Sequence, residues 1–190
     1  MNSLRIAIGD EDELNIGIIK SILLSKGHKV ICEERDGSSL LRKVRSLMPD
    51  FVIVSYNIPG IKGIEIARII QQDEIAPVLL MADNSQDIFV REMGEEYFPY
   101  IIKPVIPVQL LGTIDFVYNN YKKMLDLQKE VSQLKNMLET RKLVERAKGI
   151  LIDDYGMKER DAFRFIQKRS MDECRPIADI AKMIIEKSKK

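Results

Sequence analysis

Short apolar runs alternate with helical stripes along the first half of this chain. Leu4 to Ile8 predicts a strand that stops at the acidic group Asp10-Glu11-Asp12-Glu13. Ile16 to Leu24 has helical spacing and ends at Lys26-Gly27. Val30 to Cys32 predicts a second strand, and Ser38 to Leu47 a second helix. Phe51 to Val54 is continuously apolar, as expected of a strand buried on both faces. Ile64 to Ile70 predicts a helix, Val78 to Met81 a strand, Gln86 to Met93 a short helix, and Tyr100 to Ile102 a fifth strand stopped by Lys103-Pro104. The alternation predicts an α/β domain over residues 1–120: a doubly wound five-stranded parallel sheet with right-handed crossovers. Function in such sheets sits at the carboxyl ends of the strands.

From Val108 the pattern is purely helical. One heptad frame places Leu110, Val117, Met124, Val131 and Leu138 at a, and Thr113, Asn120, Leu127 and Leu134 at d. It predicts a coiled-coil linker helix over 121–138 and a homodimer through it; the alternative is that the stripe packs on the chain's own domain. No Gly or Pro interrupts the helix between Leu138 and Gly149, so it is expected to run straight into the last domain. Tyr155-Gly156-Met157 predicts a turn, Glu159 to Ser170 a helix, and Met171 to Cys174 a loop. Pro176 suits the first turn of a further helix. Residues 139–190 thus predict a small three-helix all-α domain, with Phe163, Ile166, Ile177, Ala181 and Ile184 as its core and Ala147 and Gly149 as close-packing positions.

Composition narrows the class. A chain that is 45% hydrophobic and 31% charged is neither disordered nor a membrane protein. The amino terminus lacks the apolar core of a signal peptide, so a cytoplasmic location is expected. Cys32 and Cys174 are expected as reduced, buried or half-buried thiols, and the single histidine, His28, as a surface residue. The net charge of +1 hides an asymmetry. Residues 1–120 carry 12 Lys and Arg against 17 Asp and Glu, while residues 140–190 carry 14 against 9. Any polyanion is therefore expected on the tail.

The acidic pair Asp10-Glu11 after the first strand, PDFVIVSYNIPGIKG (49–63), PVLLMA (77–82) and Ile102-Lys103-Pro104 together resemble the receiver domain of two-component response regulators, a flavodoxin-like fold. Receiver chemistry uses a carboxylate nucleophile at the end of the third strand. It also uses acids near the first strand for Mg²⁺, a hydroxyl after the fourth strand and a lysine after the fifth. Here the nucleophile position holds Ser55 and the hydroxyl position Ala82, while Asp10, Glu11 and Lys103 remain. A serine with no neighbouring histidine is a poor nucleophile. Asp50 and Asp83 stand at the wrong positions to replace it. The resemblance therefore implies a pseudo-receiver that is not switched by aspartate phosphorylation. Lys103 is expected to pair with Asp10 and Glu11, in preference to residual Mg²⁺ binding there. The family also makes a cis bond at Lys103-Pro104 an expectation.

The stretch RKLVERAKGIL (141–151), with Tyr155-Gly156-Met157, Asp161-Ala162-Phe163, Ser170-Met171-Asp172, Arg175 and IADIA (177–181), resembles the ANTAR module of antitermination regulators. Lys158 departs from it where a Ser or Thr helix cap is common. The resemblance implies a non-enzymatic protein, without cofactor, that binds hairpins in nascent leader transcripts. Arg141, Arg146, Lys148, Arg169 and Arg175 are the candidate basic contacts, and Tyr155 a candidate stacking residue. A regulatory protein partner or a ligand is expected to replace phosphate as the signal. The alternative is a DNA-binding response regulator, which calls for a helix-turn-helix reading head.

Overall fold

The computed structural model describes residues 3–83 and 98–187. It divides into two compact units, Met1–Lys123 and Met124–Lys190. The predicted helix over Gln86 to Met93 lies outside the described residues.

In the first unit, β1 (Arg5–Gly9), β2 (Lys29–Glu34), β3 (Phe51–Ser55), β4 (Val78–Ala82) and β5 (Tyr100–Ile102) form one parallel sheet in the order β2-β1-β3-β4-β5. α1 (Glu13–Ser25), α2 (Gly37–Leu47) and α3 (Gly63–Gln72) cross over between strands. Every side chain of β3 and β4 is buried. Alternation along β3 sends Val52 and Val54 to a core shared with α2 and α3, and Phe51 and Ile53 to a core shared with α1. The chain starts α1 and α2 with local caps. Asp12 Oδ1 accepts from the Leu14 amide at 2.9 Å, and the Asp36 carboxylate accepts from the amides of Ser38 and Ser39. Each cap satisfies amides that a helix start leaves without partners.

The long helix α4 spans Pro107–Tyr155. Its first turns complete the α1-side core through Leu110, Ile114 and Val117. Those residues follow a 3.6-residue period against the sheet. The two earliest a positions of the heptad frame therefore serve the chain's own domain, while Asn120 at d is exposed. From Met124 onward the frame stays uncovered: Met124, Leu127, Val131, Leu134 and Leu138 are each between 46% and 58% exposed.

In the second unit the last turns of α4 pack with α5 (Glu159–Asp172) and α6 (Ile177–Lys187). Val144, Ala147, Leu151, Ala162, Ile166, Ile180, Ala181, Ile184 and Ile185 form its core. Five sequence expectations are corrected here and in the first unit. Phe163 is 43% exposed, because Ala162 and Ile166 define the buried line of α5 and Phe163 is turned about 100° from Ala162. Gly149 has open space at its Cβ position, so nothing packs against it closely. Met171 and Asp172 belong to α5, and the chain turns instead at Cys174, whose φ of 50° is left-handed; that turn leaves its thiol exposed, not buried or half-buried as expected. His28 is 3% exposed, not a surface residue. Gly27, at φ 80°, folds the chain so that the ring tucks under β1, where Nδ1 accepts from the Leu4 amide at 3.3 Å.

Among the described residues no helix is long and apolar enough to cross a membrane.

Candidate functional site

The strand order puts β1 and β3 side by side at the point where the sheet reverses its winding, which is where such folds hold their ligands. Four sequence-predicted residues meet there. Asp10 follows β1, Ser55 ends β3, Ala82 ends β4 and Lys103 follows β5. Gly63 opens α3 directly beneath them. A Cβ at Gly63 would lie 2.2 Å from the Ser55 carbonyl oxygen, so only glycine lets α3 start this close to the end of β3.

Lys103 organises the pocket. Its ammonium lies 2.9 Å from Asp10 Oδ2 and 3.6 Å from Glu11 Oε1, and it donates to Ser55 Oγ at 3.0 Å. Its side chain is 11% exposed and Asp10 is fully buried. Asp10 Oδ1 also accepts from the Asp12 amide at 3.0 Å. Burial pushes the Asp10 carboxyl above its ordinary value against the pull of the Asp12 amide and Lys103. For Glu11, burial also acts upward, but the backbone amide, the Ser55 hydroxyl and Lys103 outweigh it and hold the carboxyl low. The result is a charge network of two carboxylates and one ammonium around a serine hydroxyl, in which Asp10 Oδ2 and Glu11 Oε2 are buried without a hydrogen-bond partner among the described residues. Ala82, also buried, offers no hydroxyl to it. Asp50 sits at the other end of β3, accepting from the Arg5 amide at 2.8 Å, and Asp83 accepts from Asn57 Nδ2 at 3.3 Å. The peptide bond Lys103-Pro104 is cis.

In the second unit the candidate basic residues divide. Arg141 and Arg146 are exposed. Lys148 is buried, with its ammonium 3.0 Å from both Glu145 Oε2 and Glu159 Oε1; Glu159, then Glu145, raise its pKa. That ion pair ties α4 to α5 and engages the cation internally. Arg169 pairs with Glu173 at 2.5 Å, and Arg175 lies 3.8 Å from the same residue. Tyr155 is 67% exposed. The structure adds cations that were not named as contacts from sequence: Lys158, Arg160, Arg164 and Lys168 are all exposed, and none has an ion pair among the described residues. Their signal was available in the spacing, because Arg160, Arg164 and Lys168 recur every four residues along one stripe of α5.

Comparison with known proteins agrees with both halves. Residues 6–115 match the response regulator receiver domain family and residues 132–185 the ANTAR domain family. The chain belongs to the response regulators, with a receiver domain followed by an ANTAR domain. It is 32% identical over 183 residues to the transcriptional regulatory protein PdtaR of Mycobacterium tuberculosis, covering 96% of this chain and 89% of that one. The DNA-binding transcriptional activator EvgA of Escherichia coli is 27% identical over 89 residues, 47% of this chain and 42% of that one. Among solved structures, the receiver domain of a modulated diguanylate cyclase from Desulfovibrio desulfuricans superposes with a TM-score of 0.60 at 22% identity. That match covers 65% of this chain and 99% of the other, and it speaks to the fold alone.

Proposed function

We propose that this protein is a transcription antitermination regulator that binds hairpin RNA in nascent leader transcripts through its ANTAR domain, while its receiver domain is a pseudo-receiver regulated without aspartate phosphorylation. The observation that carries the reading is an ANTAR domain joined, in one chain, to a receiver whose phosphoacceptor position is Ser55. The relative named as a transcriptional regulatory protein, aligned over nearly the whole chain, supports the regulatory role.

The pocket argues against phosphoryl transfer on three counts. Ser55 supplies an alcohol, not a carboxylate. Ala82 supplies no partner for a phosphoryl oxygen. Lys103 engages Asp10 and Ser55, and although Asp10 Oδ2 and Glu11 Oε2 are buried without a hydrogen-bond partner, Ser55 supplies no further carboxylate, so the donor set is one anion short of a receiver's Mg²⁺ site. The Lys103 ammonium offsets part of the Asp10 and Glu11 charge in the pocket. The signal is then a protein partner or a ligand acting on the receiver domain.

The uncovered stripe from Met124 to Leu138 supports a homodimer through the linker helix, since an isolated helix with this much apolar surface is left unsatisfied in water. Exposed Arg141, Arg146 and Tyr155 support the RNA contact. A filter-binding comparison of tandem-hairpin RNA with duplex DNA of equal length tests the reading. RNA retention well above that of DNA is expected; preference for DNA would instead favour a DNA-binding response regulator.

A further inference from the structure

α5 turns its apolar line, Ala162 and Ile166, into the core. Its opposite side forms an open groove of about 470 Å³ with the turn before it. That size lies within the range of small-ligand clefts, about 300–1,000 Å³. The groove combines three kinds of lining. Met157 and Phe165 are apolar, and Phe165 is 40% exposed although it is a large aromatic. Lys158, Arg164 and Lys168 are cationic and carry no ion pair among the described residues. Asp161 is the one carboxylate among these lining residues. Asp161, Arg164, Phe165 and Lys168 follow one another at helical spacing, so a single rigid face presents them.

An exposed phenyl ring beside three cations that make no ion pair among the described residues suits a planar ligand attached to phosphates. A protein partner would need an acidic, apolar segment and would leave Asp161 facing like charge. An RNA strand presents an aromatic face, phosphates for the cations, and base N–H groups for the carboxylate. We propose that this groove seats one unpaired base of the bound RNA. The base stacks on Phe165, its N–H edge meets Asp161, and Arg164, Lys168 and Lys158 hold the flanking phosphates. The assignment rests on the RNA-binding reading above and adds a subsite to it on α5.

The test uses the full-length protein and two RNAs: a hairpin carrying 2-aminopurine at each unpaired loop position in turn, and a blunt duplex of the same length. With wild-type protein, binding is expected to quench the fluorophore at one loop position. Phe165→Leu should abolish that quenching and weaken looped-hairpin binding about tenfold, with duplex affinity unchanged. Phe165→Tyr should retain both. Arg164→Ala and Lys168→Ala should each lower the slope of log affinity against log salt by about one. Circular dichroism melting of each variant separates loss of contact from loss of fold. If Phe165→Leu binds and quenches like wild type, or weakens duplex and hairpin equally, the groove assignment is overturned while RNA binding stands. If wild-type protein retains no hairpin RNA at all, the underlying reading fails together with the subsite.

Discussion

The ammonium of Lys103 lies against Asp10, Glu11 and Ser55, and these neighbours fix what its loss costs. Asp10 is fully buried and depends on it for counter-charge. Lys103→Met is expected to destabilise the protein by about 3 kcal/mol at pH 7, the cost of leaving a buried carboxylate unpaired, measured by urea unfolding. Asp10 titrates above its ordinary value, so its neutral form is favoured in the fold. The penalty should therefore shrink as pH falls and Asp10 takes up a proton, and a penalty that is constant with pH would contradict this account. His28 titrates in the opposite sense. Burial lowers its pKa below the ordinary 6.5 against the pull of Asp115, and Nδ1 must stay unprotonated to accept from Leu4. Its contribution is full above the unfolded value of 6.5 and is lost as pH falls through the lower folded value. As the only histidine, it gives one resolved imidazole signal by proton NMR. A midpoint below 6.5 is expected, and one at or above it would show the ring to be accessible.

The elements of the sheet were legible in the sequence because each strand is a short apolar run closed by a turn or an acidic group. β3 is the clearest case, with all five side chains buried. The pocket residues were legible through the receiver resemblance, and the parallel sheet brings them together because its strand ends fall at one edge, where Asp10, Ser55, Ala82 and Lys103 lie. Periodicity failed where two helical faces compete. Phe163 shares the apolar character of Ala162 and Ile166 but not their direction, and Leu110 and Val117 fit a heptad seam while packing on the sheet. His28 was hidden because polarity says nothing of where a turn places a ring. Charge pairing was equally invisible: Lys148 and Arg169 look the same as Arg164 until Glu159, Glu145 and Glu173 are placed beside the first two. At this scale two measurements discriminate. Ile166→Ala empties the centre of the three-helix unit and should cost about 2–4 kcal/mol in unfolding free energy. Leu127→Glu combined with Leu134→Glu should convert a dimer to monomer in sedimentation equilibrium, with little change in melting of the receiver unit; an unchanged mass would remove the linker helix as the interface.

Across the whole molecule, charge and chemistry divide between the two units. The residues up to 120 are net acidic and those from 140 are net basic, the charge division that the proposed RNA contact at the ANTAR end requires. The receiver end keeps the fold of a phosphorylation switch and the lysine that would read it, but holds Ser55 and Ala82 where that chemistry uses a carboxylate and a hydroxyl, with Lys103 on Asp10 and Ser55. The proposed function thus joins output by RNA contact to input without phosphate. The most direct measurement is the affinity of full-length protein for tandem-hairpin RNA at two salt concentrations, before and after incubation with acetyl phosphate and Mg²⁺. Tight binding that weakens steeply with salt, unchanged by the treatment and without covalent label, is expected. Binding that arises only after treatment, together with label that disappears in Ser55→Ala, would contradict the account.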